Sequence, residues 1–278
     1  MEPLFWPRAG QRPVRNLRRQ LTHGQLFWRE IGQGTAVVFL HGSWTDGDQW
    51  RDVLVKLGQS HHCLAPDLIG FGESQRLQDK SAYSIAMEVE TLAELFESLR
   101  LKAVVLVGHS LGAWVAARYA LQYPQQVKAL CVLEPEGIVY DPQRWRQERW
   151  LASRLGGLWL AITKPFARKS LPGKPSSWLQ NYHLRQLLKK SPTACRLLFQ
   201  RRRKELESET VGNQLASLDM PIVVLQGEEA GKTSQRLVQT FVGASANAVV
   251  KIVPGNDELP SYGADAIADF LKQWLPTV

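Results

Sequence analysis

Gly108-His109-Ser110-Leu111-Gly112 is the stretch of this 278-residue chain whose residue types and spacing point most directly to chemistry. A serine with a glycine two positions to either side follows an apolar run at 103–107 and precedes helical spacing at 111–123, which marks a sharp strand-to-helix turn. The glycines let the turn close and lift the Ser110 hydroxyl above the sheet edge. Leu111 then opens a helix, where its N–H can face a developing oxyanion. The chemistry is nucleophilic attack on an electrophilic carbon such as an acyl group. It requires a second oxyanion donor and a base to take the serine proton.

The elements around the turn follow from periodicity. Residues 17–31 read as two strands about His23-Gly24, and 36–40 is a short apolar run of the kind buried on both faces of a parallel sheet. Residues 50–57 suit a helix, 62–65 a strand running into Pro66-Asp67, and 84–99 a helix with Ile85, Val89, Leu92, Leu95, Phe96 and Leu99 on one side. Strands follow at 103–107, 127–133, 222–225 and 248–253, with helices at 111–123, 234–241 and 264–274. This alternation predicts an α/β fold with a mostly parallel central sheet flanked by helices. Residues 137–212 break the rhythm, with no convincing strand, and read as a helical insertion between two strands of the sheet.

With the turn in that setting, the chain resembles the α/β-hydrolase fold family over nearly its full length. Phe39-Leu40-His41-Gly42-Ser43-Trp44 is similar to the family's oxyanion loop, which implies that the Ser43 and Leu111 N–H groups form the oxyanion hole. Pro66-Asp67-Leu68-Ile69-Gly70-Phe71-Gly72-Glu73-Ser74 is similar to its glycine-rich loop, and 137–212 lies where the family carries a helical cap. The family's acid usually stands three residues after the glycine closing the strand at 222–225, but Gly227-Glu228-Glu229-Ala230 puts an alanine there. Some members, such as haloalkane dehalogenases, carry the acid after the preceding strand, and by that pattern Glu134 is the candidate acid. The family's histidine follows the last strand. Here Val253-Pro254-Gly255-Asn256-Asp257-Glu258-Leu259-Pro260 contains none, so Asp257 or Glu258 occupies that place. A carboxylate is a weak base near neutral pH unless burial raises its pKa by several units.

Among the six histidines, His109 is expected to pack away from the pocket, and His41 and His183 are the two counted, with Trp44, as candidate substrate contacts. The base is unassigned. Three readings stay open: a hydrolase with a displaced base, a slower reaction using Ser110 with Asp257 or Glu258, and an inactive hydrolase fold that binds a lipophilic ligand, a membrane surface or a protein partner.

Composition bounds the rest. Apolar residues are 44% and charged residues 22% of the chain, which is ordinary globular composition and excludes general disorder. No apolar run reaches the ~18–20 residues that span a bilayer, and residues 1–20 lack the apolar stretch of a secretory signal, so a cytoplasmic location is expected. The three cysteines are widely spaced, suit a reducing compartment and form no metal pattern. No metal or organic cofactor is implied. The net charge of +8 is concentrated: residues 137–212 hold sixteen Lys and Arg against five Asp and Glu, and residues 1–24 hold five Arg against Glu2. The expected organisation is a basic arm (1–24), a hydrolase core (25–136 and 213–278) and a cap (137–212). Trp145, Trp150, Leu151, Leu155, Leu158, Trp159, Leu160, Ile162 and Phe166 lie among arginines and lysines. They are expected chiefly to close an apolar pocket from the cap's underside, with peripheral contact to anionic membrane as the other use. The run Arg201-Arg202-Arg203-Lys204 is read as a solvated helix end, and no nucleic-acid partner is expected. The partner so implied is an apolar, lipid-like small molecule, with an ester as the leading substrate.

Overall fold

The computed structural model describes residues 12–164, 177–256 and 259–278. In chain order these form β1 (Arg15–Leu21), β2 (Gly24–Ile31), β3 (Ala36–Leu40), α1 (Arg51–Leu57), β4 (His62–Asp67), α2 (Ile85–Ser98), β5 (Val104–His109), α3 (Leu111–Gln122) and β6 (Val127–Leu133). Five helices come next: α4 (Pro142–Ala152), α5 (Arg154–Thr163), α6 (Ser177–Lys190), α7 (Pro192–Phe199) and α8 (Arg203–Glu209). The core resumes with β7 (Ile222–Gly227), α9 (Lys232–Ala244), β8 (Ala248–Val253), α10 (Leu259–Tyr262) and α11 (Ala264–Trp274).

The strands make one eight-stranded sheet in the order β1-β2-β4-β3-β5-β6-β7-β8, parallel from β4 through β8 and antiparallel at the β1–β2 and β2–β4 pairings. The alternation of the apolar runs decides which side each residue covers. Val38 and Leu40 of β3 join a core with α2, α3 and α9, whereas Val37 and Phe39 pack with α1 and α11 on the other face. Residues 15–21, assigned above to a basic arm, are the edge strand of this sheet and pair with β2 from Arg15↔Glu30 to Leu21↔Gly24. The tight His23-Gly24 turn makes that hairpin possible: Gly24 has φ +142°, a conformation with little penalty only for glycine.

The inserted helices are anchored to α3, the helix that follows Ser110. Trp114 of α3 is fully buried, stacks on Trp145 of α4 with centroids 6.4 Å apart, and donates its indole N–H to Glu209 O at 2.9 Å. Two of the four cations in the basic run leading into α8 are paired locally: Arg201 with Glu209 at 2.5 Å and Arg203 with Glu207 at 2.7 Å. The underside expectation fails for most of α5. Leu160 is buried, but Leu155, Leu158, Trp159 and Ile162 are exposed on its outer face. Phe166, also in that expectation, lies outside the described residues. The reason is packing: α5 lies against α4 and α6 and makes its buried contacts through Gly156 and Leu160, leaving the opposite stripe without a neighbour.

Candidate active site

Ser110 connects β5 to α3 in a conformation of φ 52° and ψ −111°, well away from the usual wells for a residue with a side chain. Such a backbone costs about 1–3 kcal/mol and persists where its surroundings over-determine it. Ser110 N–H donates to Leu133 O of the adjacent strand at 2.9 Å, and Ser110 O accepts from Ala113 N–H at 3.1 Å. Both flanking glycines are required by proximity. A Cβ on Gly108 would lie 2.6 Å from Ala113 Cα, and one on Gly112 would lie 2.3 Å from Leu40 O. Gly112 N–H donates to His41 O at 3.0 Å, which draws the start of α3 against the loop after β3.

That loop carries Ser43. Its hydroxyl stands 3.5 Å from Ser110 Oγ, and it is the described hydrogen-bond partner of that oxygen. Leu111 is the first residue of α3, so its N–H has no acceptor four residues back within the helix. His41 supports the loop from beneath. Its Nε2 accepts from Leu68 N–H at 3.0 Å, so Nδ1 carries the proton and donates to Gly42 O at 2.9 Å. Burial pushes the His41 pKa down, keeping the ring neutral in this role. With both nitrogens occupied and no surface exposed, His41 is a brace and not a substrate contact. Asp67 fixes the same region: its buried carboxylate accepts from Arg29 Nη1, Gly47 N–H and Glu73 N–H, each at 2.8 Å.

The neighbouring strand β6 ends in Glu134, which also has a positive φ of 47°. Its Oε1 accepts from Ser234 Oγ at 3.1 Å, and its Oε2 lies 3.6 Å from His109 Nε2. His109 therefore does not point away from the pocket, as its place before the nucleophile suggested; its ring lines the same cavity as Ser110 and Glu134. The space comes from Gly42, where a Cβ would lie 2.5 Å from His109 Nδ1. The β3–β5 register ends at Leu40↔Gly108, so Gly42 and His109 extend from matched strand ends. A glycine across from a bulky residue at such a place was the available sequence signal. Gln49 Nε2 lies 3.5 Å from His109 Nδ1, and the Gln49 side-chain oxygen accepts from Gly42 N–H at 3.2 Å, so one glutamine spans the oxyanion loop and the imidazole.

These residues surround a cavity of about 390 Å³, whose wall also includes Trp44, Thr45, Glu136, Leu187 of α6, Thr233, Leu237 and Pro260. Trp44 is thus part of the cavity wall, and Gln49, Glu136 and Ser234 are polar lining residues that the sequence did not single out. His183 is exposed on α6 beside the Tyr182 ring and does not line this cavity. Asp257 and Glu258 lie outside the described residues, although Pro260 and Ser261 just beyond them reach the cavity. Among the described residues, no group of three His, Cys, Asp or Glu side chains is placed to hold a metal ion. Cys63, Cys131 and Cys195 are free and buried, and burial raises the Cys63 and Cys195 thiols to about 12, which makes them inert as nucleophiles.

One cavity thus brings together the Ser110 hydroxyl, the Ser43 loop, and a carboxylate and an imidazole 3.6 Å apart. The chain's resemblance to known proteins is correspondingly broad. Mouse 1-acylglycerol-3-phosphate O-acyltransferase ABHD5 is 35% identical over 143 residues, covering 51% of this chain and 40% of that protein. The 2-hydroxy-6-oxo-2,4-heptadienoate hydrolase of Pseudomonas putida is 32% identical over 115 residues, covering 40% and 41%. The matched region thus spans about two fifths of these curated relatives. A thermophilic esterase from Thermogutta terrifontis shares the fold, with a TM-score of 0.72 at 19% identity over 95% of this chain and 98% of that one. The model of the Alpha/beta hydrolase family matches residues 37–270, and the chain belongs to that family.

Proposed function

We propose that the protein is a slow serine-dependent acyl hydrolase acting on an apolar ester. Ser110 is the nucleophile, the Ser43 and Leu111 N–H groups receive the oxyanion, and the Glu134–His109 pair handles the proton. One observation carries this reading: two strained residues, Ser110 and Glu134, end adjacent strands and face one cavity. Strain of this kind clusters at reactive sites because the fold must maintain it against relaxation. Trp44, Leu187, Leu237 and Pro260 supply apolar wall for an acyl chain. The relatives named as a hydrolase and as an acyltransferase support acyl chemistry without specifying a substrate.

In this mechanism Ser110 Oγ attacks the acyl carbon as the C=O pair moves onto oxygen toward the two backbone donors; collapse of this intermediate breaks the ester C–O bond and expels the alcohol, and water then cleaves the acyl-serine to the acid and free Ser110. The hydroxyl proton passes through one water to the Glu134–His109 pair, since the described hydrogen-bond partner of Ser110 Oγ is Ser43 Oγ. A relay of this length is less efficient than direct transfer to an imidazole, which accounts for the slow rate. Esters with poor leaving groups also need that proton returned, so activated esters should react first. The test is hydrolysis of p-nitrophenyl butyrate by the purified protein and by Ser110→Ala. Slow release that requires Ser110 supports the reading, and identical rates in both proteins refute it.

The absence of a direct base on Ser110 Oγ among the described residues favours a second reading, in which the cavity binds a lipophilic ligand without turnover. Ligand affinity unchanged by Ser110→Ala, with no covalent acylation of the parent protein, distinguishes it.

A further inference from the structure

Leu155, Leu158 and Ile162 occupy successive turns of one face of α5 and are 70%, 59% and 62% exposed. A cap helix normally turns such a stripe inward, because burying it is what holds the helix down. Here the stripe is continued by Trp159 and Trp150, both partly exposed, whose rings meet edge-to-face at 5.3 Å. An aromatic pair beside an aliphatic ridge forms a contiguous apolar surface of the kind that marks an interaction site.

The charge around the ridge has one sign. The described residues of the helices beside it, 142–164 and 177–200, contain nine Lys and Arg and a single acidic residue, Glu148, which is buried. Arg154 and Lys164 at the two ends of α5, with Lys189 of α6, line a groove of about 710 Å³ between these helices. Among the described residues, none of these three cations forms an ion pair with a carboxylate. Trp178 and Tyr182 lie stacked in the same groove, centroids 5.2 Å apart.

We propose that the outer face of α5, with the cationic α5–α6 groove, docks the protein on an anionic phospholipid surface. Leu155, Leu158, Trp159 and Ile162 would enter the headgroup–acyl boundary, and Arg154, Lys164 and Lys189 would take phosphate groups. Charge complementarity selects this occupant. A second copy would bring two strongly basic faces together, whereas an anionic bilayer meets both the ridge and its rim. No described helix is long and apolar enough to cross a membrane, so the contact is interfacial. The docking is independent of turnover at Ser110 and should persist in Ser110→Ala.

The test is co-sedimentation of the full chain with two kinds of vesicle: phosphatidylcholine alone, and phosphatidylcholine with about one third phosphatidylglycerol. Binding should be at least ~10-fold stronger to the anionic vesicles and should weaken with added salt. The double variant Leu158→Glu, Ile162→Glu should lose ~10-fold or more of that binding. Both positions are exposed, so its melting temperature should match the parent and show that the fold survives. No binding, equal binding to both vesicles, or binding unaffected by the double variant would overturn the proposal. Self-association that the double variant abolishes, without vesicle binding, would overturn it in favour of a second copy on this face.

Discussion

Two carboxylates close strands of the same sheet, and their surroundings differ sharply. Asp67, at the end of β4, is fully buried and accepts three hydrogen bonds, one from the equally buried Arg29. Glu134, at the end of β6, is partly exposed to the cavity, is held by Ser234, and faces His109 at a distance beyond a hydrogen bond. Asp67 is committed to shape: it fixes the oxyanion loop and the glycine-rich loop, where a Cβ on Gly72 would collide with it. Glu134 keeps spare acceptor capacity in a strained backbone. The nucleophile side of the cavity is therefore over-determined, and the proton-handling side is loosely held. The difference implies that positioning of the nucleophile is supported better than the proton transfers that accompany acylation and follow it.

Replacing Ser110 with Ala should remove ester hydrolysis by a factor of ~10² or more, read from initial rates on an activated ester. Asp67→Ala would leave the buried Arg29 guanidinium only the more exposed Asp46 and Asp48, and would strip the Gly47 and Glu73 N–H groups of their acceptor, so it should destabilise the fold by about 3 kcal/mol in urea unfolding. Glu134→Gln should change stability by less than about 1 kcal/mol while lowering hydrolysis by ~10-fold or more. If Glu134→Gln proves as destabilising as Asp67→Ala, the two carboxylates share a structural role and the contrast fails.

A smaller effect concerns Glu88 of α2, the buried carboxyl beneath the glycine-rich loop. Its Oε2 accepts from Ile69 N–H at 3.2 Å, and its buried Oε1 has no hydrogen-bond partner among the described residues. Burial raises its pKa from 4.5 to about 8, the Ile69 hydrogen bond opposing only part of that shift. The folded state thus holds a proton that the unfolded chain has released. The sign follows: this contribution is complete below about pH 4.5, declines as pH rises, and is gone above about pH 8. Glu88→Gln should flatten the fall in melting temperature across that window, and an unchanged profile would show that Glu88 is ionised in the folded protein.

Much of this arrangement was legible in the residues. The apolar runs at 36–40, 103–107 and 127–133 became β3, β5 and β6 because such runs suit strands covered on both faces, and the paired glycines around Ser110 required a tight turn. What periodicity could not convey was side-chain direction beyond the strand ends. His109 enters the cavity because Gly42 leaves room for its ring, a contact between residues 67 positions apart. His41 turns inward because Leu68 N–H needs an acceptor there. The hairpin at 15–31 was readable from its His23-Gly24 turn, although the basic composition of 1–24 grouped its first strand with the arm. The outward stripe of α5 has the same helical spacing as a buried one, so only the placement of α4 and α6 could decide its direction.

A competent nucleophile coupled to inefficient proton handling should be visible by covalent trapping. A p-nitrophenyl ester has a leaving group that departs without being protonated, so Ser110 should acylate before the slower hydrolysis of the acyl-enzyme. Intact-protein mass spectrometry after brief exposure to p-nitrophenyl acetate should show one acetyl group, absent from Ser110→Ala and retained over many minutes. Failure to form an acyl group on Ser110, or turnover too rapid for it to accumulate, would contradict the account.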